Sequence, residues 1–244
     1  MHANKVTLAT VISIKPSGEN NSSVCLLTKT DGVIYATLYG GPKSRLRSLV
    51  STWNTGTVYL SLSHNNYKIS DFDVKSYHLS FRENFYKSCV ASVCAELALK
   101  TRCAGNNELA WALINGFLTG LDLAKTEIEC TSGFLRFLWR YLELLGVQPD
   151  VKNCVFCGTE LKDCAHFLVS ENAFCGSCCH HEKSPFLLSA ESLLFLQGIT
   201  LLSPEKASKL TVSEKSYGEL KTLIFFLIET ACGSSLLSLK VINQ

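Results

Sequence analysis

The sequence predicts an α+β chain: a small β-barrel first, then a helical body with a cysteine module set into it. Three observations carry that reading. The first eighty residues are rich in β-branched residues with period-two alternation. From Phe81 onward the apolar residues recur at spacings of three and four. Two-thirds of the way along stand Cys154-Val155-Phe156-Cys157 and, seventeen residues later, Cys175-Gly176-Ser177-Cys178. Two thiolates three positions apart on a tight knuckle both face one ion, and this gap is that of a four-cysteine structural zinc site.

The strands come in order. Val6–Ile14 stops at Lys15-Pro16-Ser17-Gly18. Val24–Thr30 runs into the hairpin signal Asp31-Gly32. Val33–Tyr39 alternates, with Ile34, Ala36 and Leu38 on one face and Tyr35, Thr37 and Tyr39 on the other. Thr57–Leu62 and Lys68–Tyr77 flank a turn at Asn65-Asn66. Five short strands suit a closed barrel, which removes exposed edges, and the oligonucleotide-binding (OB) fold has this strand count. Residues 1–80 are therefore expected to form an OB-fold barrel.

Residues 81–244 are expected to form one helical domain, with the zinc module at about 152–181. Helices are predicted over Phe85–Lys100, Glu108–Ala124 and Thr131–Leu145, the last stopped by Gly146 and Pro149. After the module, Ser189-Ala190-Glu191 opens a helix and Ser203-Pro204-Glu205 a short one. Ser213–Cys232 is long and ends at Gly233.

Composition narrows the function classes. With 47% hydrophobic and 18% charged residues, the 244-residue chain has enough apolar surface for a core. The formal charge is +2, but residues 1–80 carry eight Lys/Arg against four Asp/Glu, a hint of a polyanionic partner at the barrel. Met1-His2-Ala3-Asn4-Lys5 leads straight into a strand with no signal peptide, and apolar runs such as Leu223–Ile228 are too short to span a bilayer. A soluble cytoplasmic protein is expected. In that compartment Cys89, Cys94, Cys103, Cys130 and Cys232, each alone in a helical pattern among the twelve cysteines, read as small buried hydrophobes.

Two constellations carry chemistry. In the cysteine module, Cys154, Cys157, Cys175 and Cys178 would fill all four positions on the metal with thiolate, leaving none for water. Cys179, His180 and His181 crowd the second pair and any of them could replace Cys178, and Cys164 is a spare thiol. A thiol redox centre normally has a single Cys-x-x-Cys, so two pairs favour zinc. The other constellation is Gly40-Gly41-Pro42-Lys43-Ser44-Arg45-Leu46-Arg47, following the strand that turns Tyr35 and Tyr39 outward. Lys43, Arg45 and Arg47 offer charge for phosphates, and the tyrosines offer stacking surfaces for bases. No nucleophile elbow, phosphate loop or paired carboxylate occurs, and His64, His78 and His166 stand alone, so no catalysis is expected.

In order and spacing the chain resembles the bacterial recombination mediator RecO. The residues that carry the resemblance are Ser17–Val24 with Thr28 and Gly32, Tyr39–Arg45, Arg136-Phe137, Leu144-Leu145-Gly146, Pro149-Asp150, Cys154-x-x-Cys157-Gly158 and Gly233–Leu239. The resemblance implies binding of single- and double-stranded DNA, annealing of complementary strands, and loading of RecA onto coated gaps together with RecR. It also implies contact with the C-terminal tail of single-stranded DNA-binding protein (SSB), for which Arg136 is the expected cation, and a nucleoid-associated location. The family's Asp-Arg in the first loop is Asn21-Ser22 here, and its basic residues near the terminal Leu-x-Ser-Leu are Ser234, Ser235 and Leu237. With fewer cations, DNA binding is expected to be weaker and more salt-sensitive. The alternative is a zinc-stapled adaptor whose barrel binds protein or RNA.

Overall fold

The computed structural model describes residues 4–40, 44–63, 66–178 and 184–242. Five strands open the chain: β1 (Asn4–Pro16), β2 (Ser22–Thr28), β3 (Gly32–Leu38), β4 (Thr55–Ser63) and β5 (Asn66–Ser76), with the short helix α1 (Arg45–Leu49) between β3 and β4. They join in the closed order β1-β2-β3-β5-β4. Closure depends on β1 serving two partners. Its first half runs antiparallel to β4 (Asn4↔Ser61 to Thr10↔Thr55), and its second half runs antiparallel to β2 (Ala9↔Thr28 to Pro16↔Ser22). An irregularity between Val11 and Ser13 bends the strand where it changes partner. A short parallel pairing, Ala36↔Tyr67 and Thr37↔Lys68, closes the ring.

Inward-facing residues fill the barrel: Ala9, Val11, Val24, Leu26, Ala36, Leu38, Val58, Leu60, Ile69 and Phe72, with Val50 after α1. Two glycines are required by geometry. Gly32 sits at φ +64° in the β2–β3 turn, which favours a residue without Cβ. At Gly56 a Cβ would run into the Asp73 carbonyl of the neighbouring strand.

The chain packs as two compact units, Met1–Asp122 with Leu236–Gln244, and Leu123–Ser235. Residue 80 lies inside the first unit, and the helices are shared between the two units. The physical reason lies in β2, where Cys25 and Leu27 are buried as well as the core-facing Val24 and Leu26. A strand covered on both faces needs helices outside the barrel. They follow as α2 (Ser80–Glu83), α3 (Phe85–Thr101) and α4 (Asn107–Leu123). From α4, buried Asn115 accepts a 2.6 Å hydrogen bond from Thr10 of β1, and Asn107 donates to the Thr30 carbonyl (3.2 Å). The link between α3 and α4 is a left-handed turn, with φ of 49°, 57° and 52° at Arg102, Cys103 and Ala104. Such backbone costs about 1–3 kcal/mol per residue. The burial of Cys103 and the turn's packing against β3 hold it in place.

The chain's end returns to this first unit. Helix α9 (Leu237–Ile242) lies on α3, and Glu96 of α3 accepts from the amides of Leu237 (3.1 Å) and Ser238 (2.9 Å) and from the Ser238 hydroxyl (2.6 Å). Those are the free N–H groups of a helix start, and a carboxylate satisfies them well.

The second unit holds α5 (Glu127–Leu144), β6 (Cys164–Leu168), β7 (Ala173–Cys175), β8 (Phe186–Ser189), α6 (Ala190–Leu201), α7 (Pro204–Ala207) and α8 (Glu214–Cys232). Helix α5 starts four residues before the expected Thr131 because Thr126 and Glu129 form a reciprocal capping box. The three strands form a sheet in the order β7-β6-β8. Phe167 and Phe174 meet edge to face at 5.3 Å, and Phe186 and Phe226 of α8 extend the cluster. The N-termini of α6 and α8 cap one another. Glu219 of α8 accepts from the Ser189 amide and hydroxyl and from the Ser192 hydroxyl. Glu191 of α6 accepts from the Ser213 amide and hydroxyl and from the Ser216 hydroxyl. No helix among the described residues is long and apolar enough to cross a membrane.

Candidate metal centre and nucleic-acid face

The first cysteine pair sits on a knuckle set by backbone bonds. The Cys154 amide donates to the Thr159 carbonyl (2.8 Å), the Gly158 amide to the Cys154 carbonyl (2.9 Å), and the Leu161 amide to the Lys152 carbonyl (2.8 Å). Gly158, at φ +70°, makes the reversal. The Val155 amide donates to the Phe174 carbonyl (2.9 Å), which docks the knuckle on β7 just before Cys175. The tight turn, legible as Cys-x-x-Cys-Gly, thereby acquires a fixed position beside the second pair.

Three sulfurs converge. Those of Cys154, Cys157 and Cys178 all lie within 4.8 Å of one another, with Cys157 to Cys178 at 3.0 Å and Cys154 to Cys178 at 3.5 Å. A tetrahedral ion with Zn–S bonds of ~2.3 Å needs sulfurs about 3.8 Å apart, so a slight opening would admit it. Burial pushes the Cys154 thiol up, but the amides of Cys157, Gly176 and Phe156 and the Cys178 side chain prevail and bring it down to about 5. Hydrogen bonding from Cys178 and Thr159 likewise lowers Cys157. Backbone amides aimed at a sulfur favour thiolate, the form a metal binds. The donor set therefore fits a thiophilic ion.

Cys175 does not join the three. It is buried at the end of β7, and its thiol is turned to the Gly176 carbonyl at 3.1 Å. Cys179, His180 and His181 lie outside the described residues. Cys164 is at the start of β6, half-buried. Elsewhere, burial raises the thiols of Cys25, Cys89, Cys94 and Cys103, as suits cysteines that act as apolar filler.

On the barrel, Tyr35 and Tyr39 are 62% and 50% exposed, so their rings are open to a stacking partner. Lys68, which lies outside the glycine loop, holds its ammonium 5.0 Å from the Tyr39 ring centroid. The parallel Thr37↔Lys68 pairing that closes the barrel brings β5 to this edge, and no local pattern announces it. A further exposed aromatic, Tyr59, sits opposite Val6 on β1 and opposite Asp71 on β5, with Asp73 two pairs along, opposite Thr57. Carboxylates there repel anions, whereas the Tyr39 edge carries the Lys68 ammonium.

The cations of the glycine loop divide. Arg45 on α1 is exposed. Arg47 is half-buried and engaged, donating to the Gly40 carbonyl (3.1 Å) and the Ser22 hydroxyl (3.3 Å), so it anchors one end of the loop. Lys43 lies outside the described residues.

Arg136 on α5 donates to the Leu210 carbonyl, and burial with the nearby charge of Arg140 lowers its pKa. Arg140, one turn along, donates to the Ile199 carbonyl (3.3 Å). Among the described residues neither guanidinium is in a salt bridge. The spacing of four residues on one helix is the signal that could have paired them in the sequence.

A family model described as Recombination protein O C terminal matches residues 82–240. The chain belongs to the RecO family. It is 26% identical over 238 residues to a protein named DNA repair protein RecO from Thermodesulfovibrio yellowstonii, covering 93% of both chains. A RecO from Bacillus pumilus is 23% identical over 231 residues, covering 93% of this chain and 89% of its own length. For a RecO from Desulforamulus reducens the identity is 26% over 191 residues, with coverage of 77% and 73%. Similarity to the first two thus extends over the barrel as well as the helices and the cysteine centre.

Proposed function

We propose that this RecO-family chain is a non-enzymatic recombination mediator in DNA repair. It binds single- and double-stranded DNA on an OB-fold barrel, anneals complementary strands, and with RecR helps load RecA onto SSB-coated gaps. The observation that carries the reading is family membership over residues 82–240. The exposed Tyr35 and Tyr39 and the Lys68 ammonium over Tyr39 support it, since stacking and phosphate neutralisation are what a sequence-tolerant strand binder needs. Lys43 and Arg45 add charge in the same segment, while Arg47 is engaged with Gly40 and Ser22.

In this reading the SSB tail docks on the second unit. Its terminal carboxylate meets Arg136 and Arg140, two partly desolvated cations without a carboxylate of their own among the described residues. Zinc is the proposed resident ion, held by Cys154, Cys157 and Cys178 with Cys175 as fourth ligand. It would supply a closed, structural cross-link with no open coordination position. The location that follows is the cytoplasm, on the nucleoid.

The test is annealing of SSB-coated complementary strands, with and without RecR. Lys43→Glu, Arg45→Glu and Lys68→Glu together are expected to abolish annealing, and Arg45→Ala alone is expected to reduce the salt slope of binding by about one. Annealing that survives the triple change removes the barrel edge as the DNA site. If no DNA binds under any salt condition, the zinc-stapled adaptor for protein or RNA takes its place.

A further inference from the structure

The metal centre poses a question that its sulfurs alone do not answer: what turns Cys175 toward the ion? While protonated, the Cys175 thiol is a donor and sits well against the Gly176 carbonyl at 3.1 Å. Metal binding takes that proton: the S–H bond breaks, the proton leaves to solvent, and the sulfur's electron pair forms the bond to the ion. The resulting thiolate has no hydrogen to give. A carbonyl oxygen beside it is then repulsive, and the sulfur needs donors instead.

One side chain is suitably placed. In the β6–β7 ladder His166 stands directly opposite Cys175. Opposed residues in an antiparallel pair project from the same face, with Cβ atoms about 4.5–5.5 Å apart. The other face of this ladder is the aromatic one, where Phe167 and Phe174 meet. His166 Nδ1 is shielded from solvent and has no hydrogen-bond partner among the described residues. Leaving such a nitrogen unpaired is costly, and a sulfur on the same face of the ladder would satisfy it.

We propose that His166 is the positioning residue of the metal centre, donating from Nδ1–H to the Cys175 sulfur once that sulfur turns from Gly176 to the ion. It is not itself a ligand. It fixes which rotamer Cys175 adopts and keeps the thiolate's charge compensated on the sheet side, the part that outer-shell partners play around metal-bound side chains. The proposal rests on the zinc reading given above. It also gives a use to a histidine that the sequence alone marks as isolated.

The experiment uses the full chain loaded with zinc. Long-range proton–nitrogen correlation spectra of the imidazole groups are expected to show His166 as the Nδ1–H tautomer, and the Nε2–H tautomer overturns the proposal. Competition with a chromogenic chelator is expected to give zinc affinity weaker by about ten- to a hundred-fold for His166→Leu, with part recovered in His166→Asn. Unchanged affinity in His166→Leu overturns it, whereas protein that binds no zinc at all overturns the metal reading along with it. Cobalt substitution separates ligand from positioning residue. Thiolate-to-cobalt absorption should keep its four-sulfur intensity in His166→Leu and drop in Cys175→Ser, whereas a spectrum of three sulfurs and one nitrogen that changes in His166→Leu and not in His180→Ala makes His166 a ligand and sinks the idea.

Discussion

The cysteine centre and the stacking edge of the barrel are assembled in different ways. At the cysteine centre, two of the candidate ligands come from one four-residue turn, amides of that turn and of Gly176 tune the Cys154 sulfur, and Cys178 arrives from a distance. At the barrel edge, Tyr39 follows β3 and Lys68 belongs to β5, which reach each other only through the pairing that closes the ring. The first is largely a property of local sequence. The second exists only in the folded chain. A local site keeps its shape when its frame is disturbed, whereas a site made by ring closure is lost with the ring.

The largest expected effect tests the cysteine centre. Cys154→Ser should lower zinc affinity by several orders of magnitude, and both that change and exhaustive chelation should speed hydrogen exchange in residues 154–161 and 176–178. The amides of Phe167 and Phe174 should stay protected, because their rings share a core with Phe186 and Phe226 of α8. From the cysteine spacing alone the whole stretch 152–181 would be expected to loosen. The aromatic cluster confines the change to the knuckles, and equal exchange throughout β6–β8 would break the distinction between a local centre and its frame.

A middle-sized effect tests the barrel edge. Tyr39→Ala is expected to weaken single-strand binding by about 1–3 kcal/mol, measured by fluorescence anisotropy. Tyr59→Ala, which faces Asp71 across the β4–β5 pair, should change it little. Equal losses from both would mean that the stacking surface wraps the barrel rather than following the β3–β5 edge.

The smallest effect concerns the frame around the cysteine centre. Hydrogen bonds from Ser213 and Ser216 lower Glu191. Burial alone would raise Glu219, but Ser192 and Ser189 outweigh it and lower that group too. Carboxylates with depressed folded pKa values stabilise the fold above their unfolded pKa of about 4.3, and that contribution is lost as the pH falls through the folded values. Urea unfolding of Glu191→Gln/Glu219→Gln should give a lower midpoint than the unmodified chain at pH 7, with the gap narrowing toward pH 4. A gap that stays constant would show that the two carboxylates act through shape alone.

Much of the fold was legible. Hairpin glycine Gly32, the stop at Gly146 and the cap at Gly233 stand where the sequence predicts them, because each answers a local backbone demand. The start of α5 was legible in principle from Thr126 and Glu129. The short β6-β7-β8 sheet was not, since strands of three to five residues leave too little periodicity. Nor was the grouping of α3 and α4 with the barrel, which follows from the second buried face of β2.

The sequence by itself determined the α+β class, the knuckle cysteines, the outward tyrosines and the resemblance to RecO. These depend on residue type, spacing and turn chemistry, which act over a few positions. Tertiary structure decided that Lys68 meets Tyr39, that Arg47 anchors its loop, that Arg136 and Arg140 each hold a backbone carbonyl, and that His166 stands against Cys175. Each of those is set by strand register or by distant carbonyls, and no short-range pattern in the chain encodes which partner a folded strand will find.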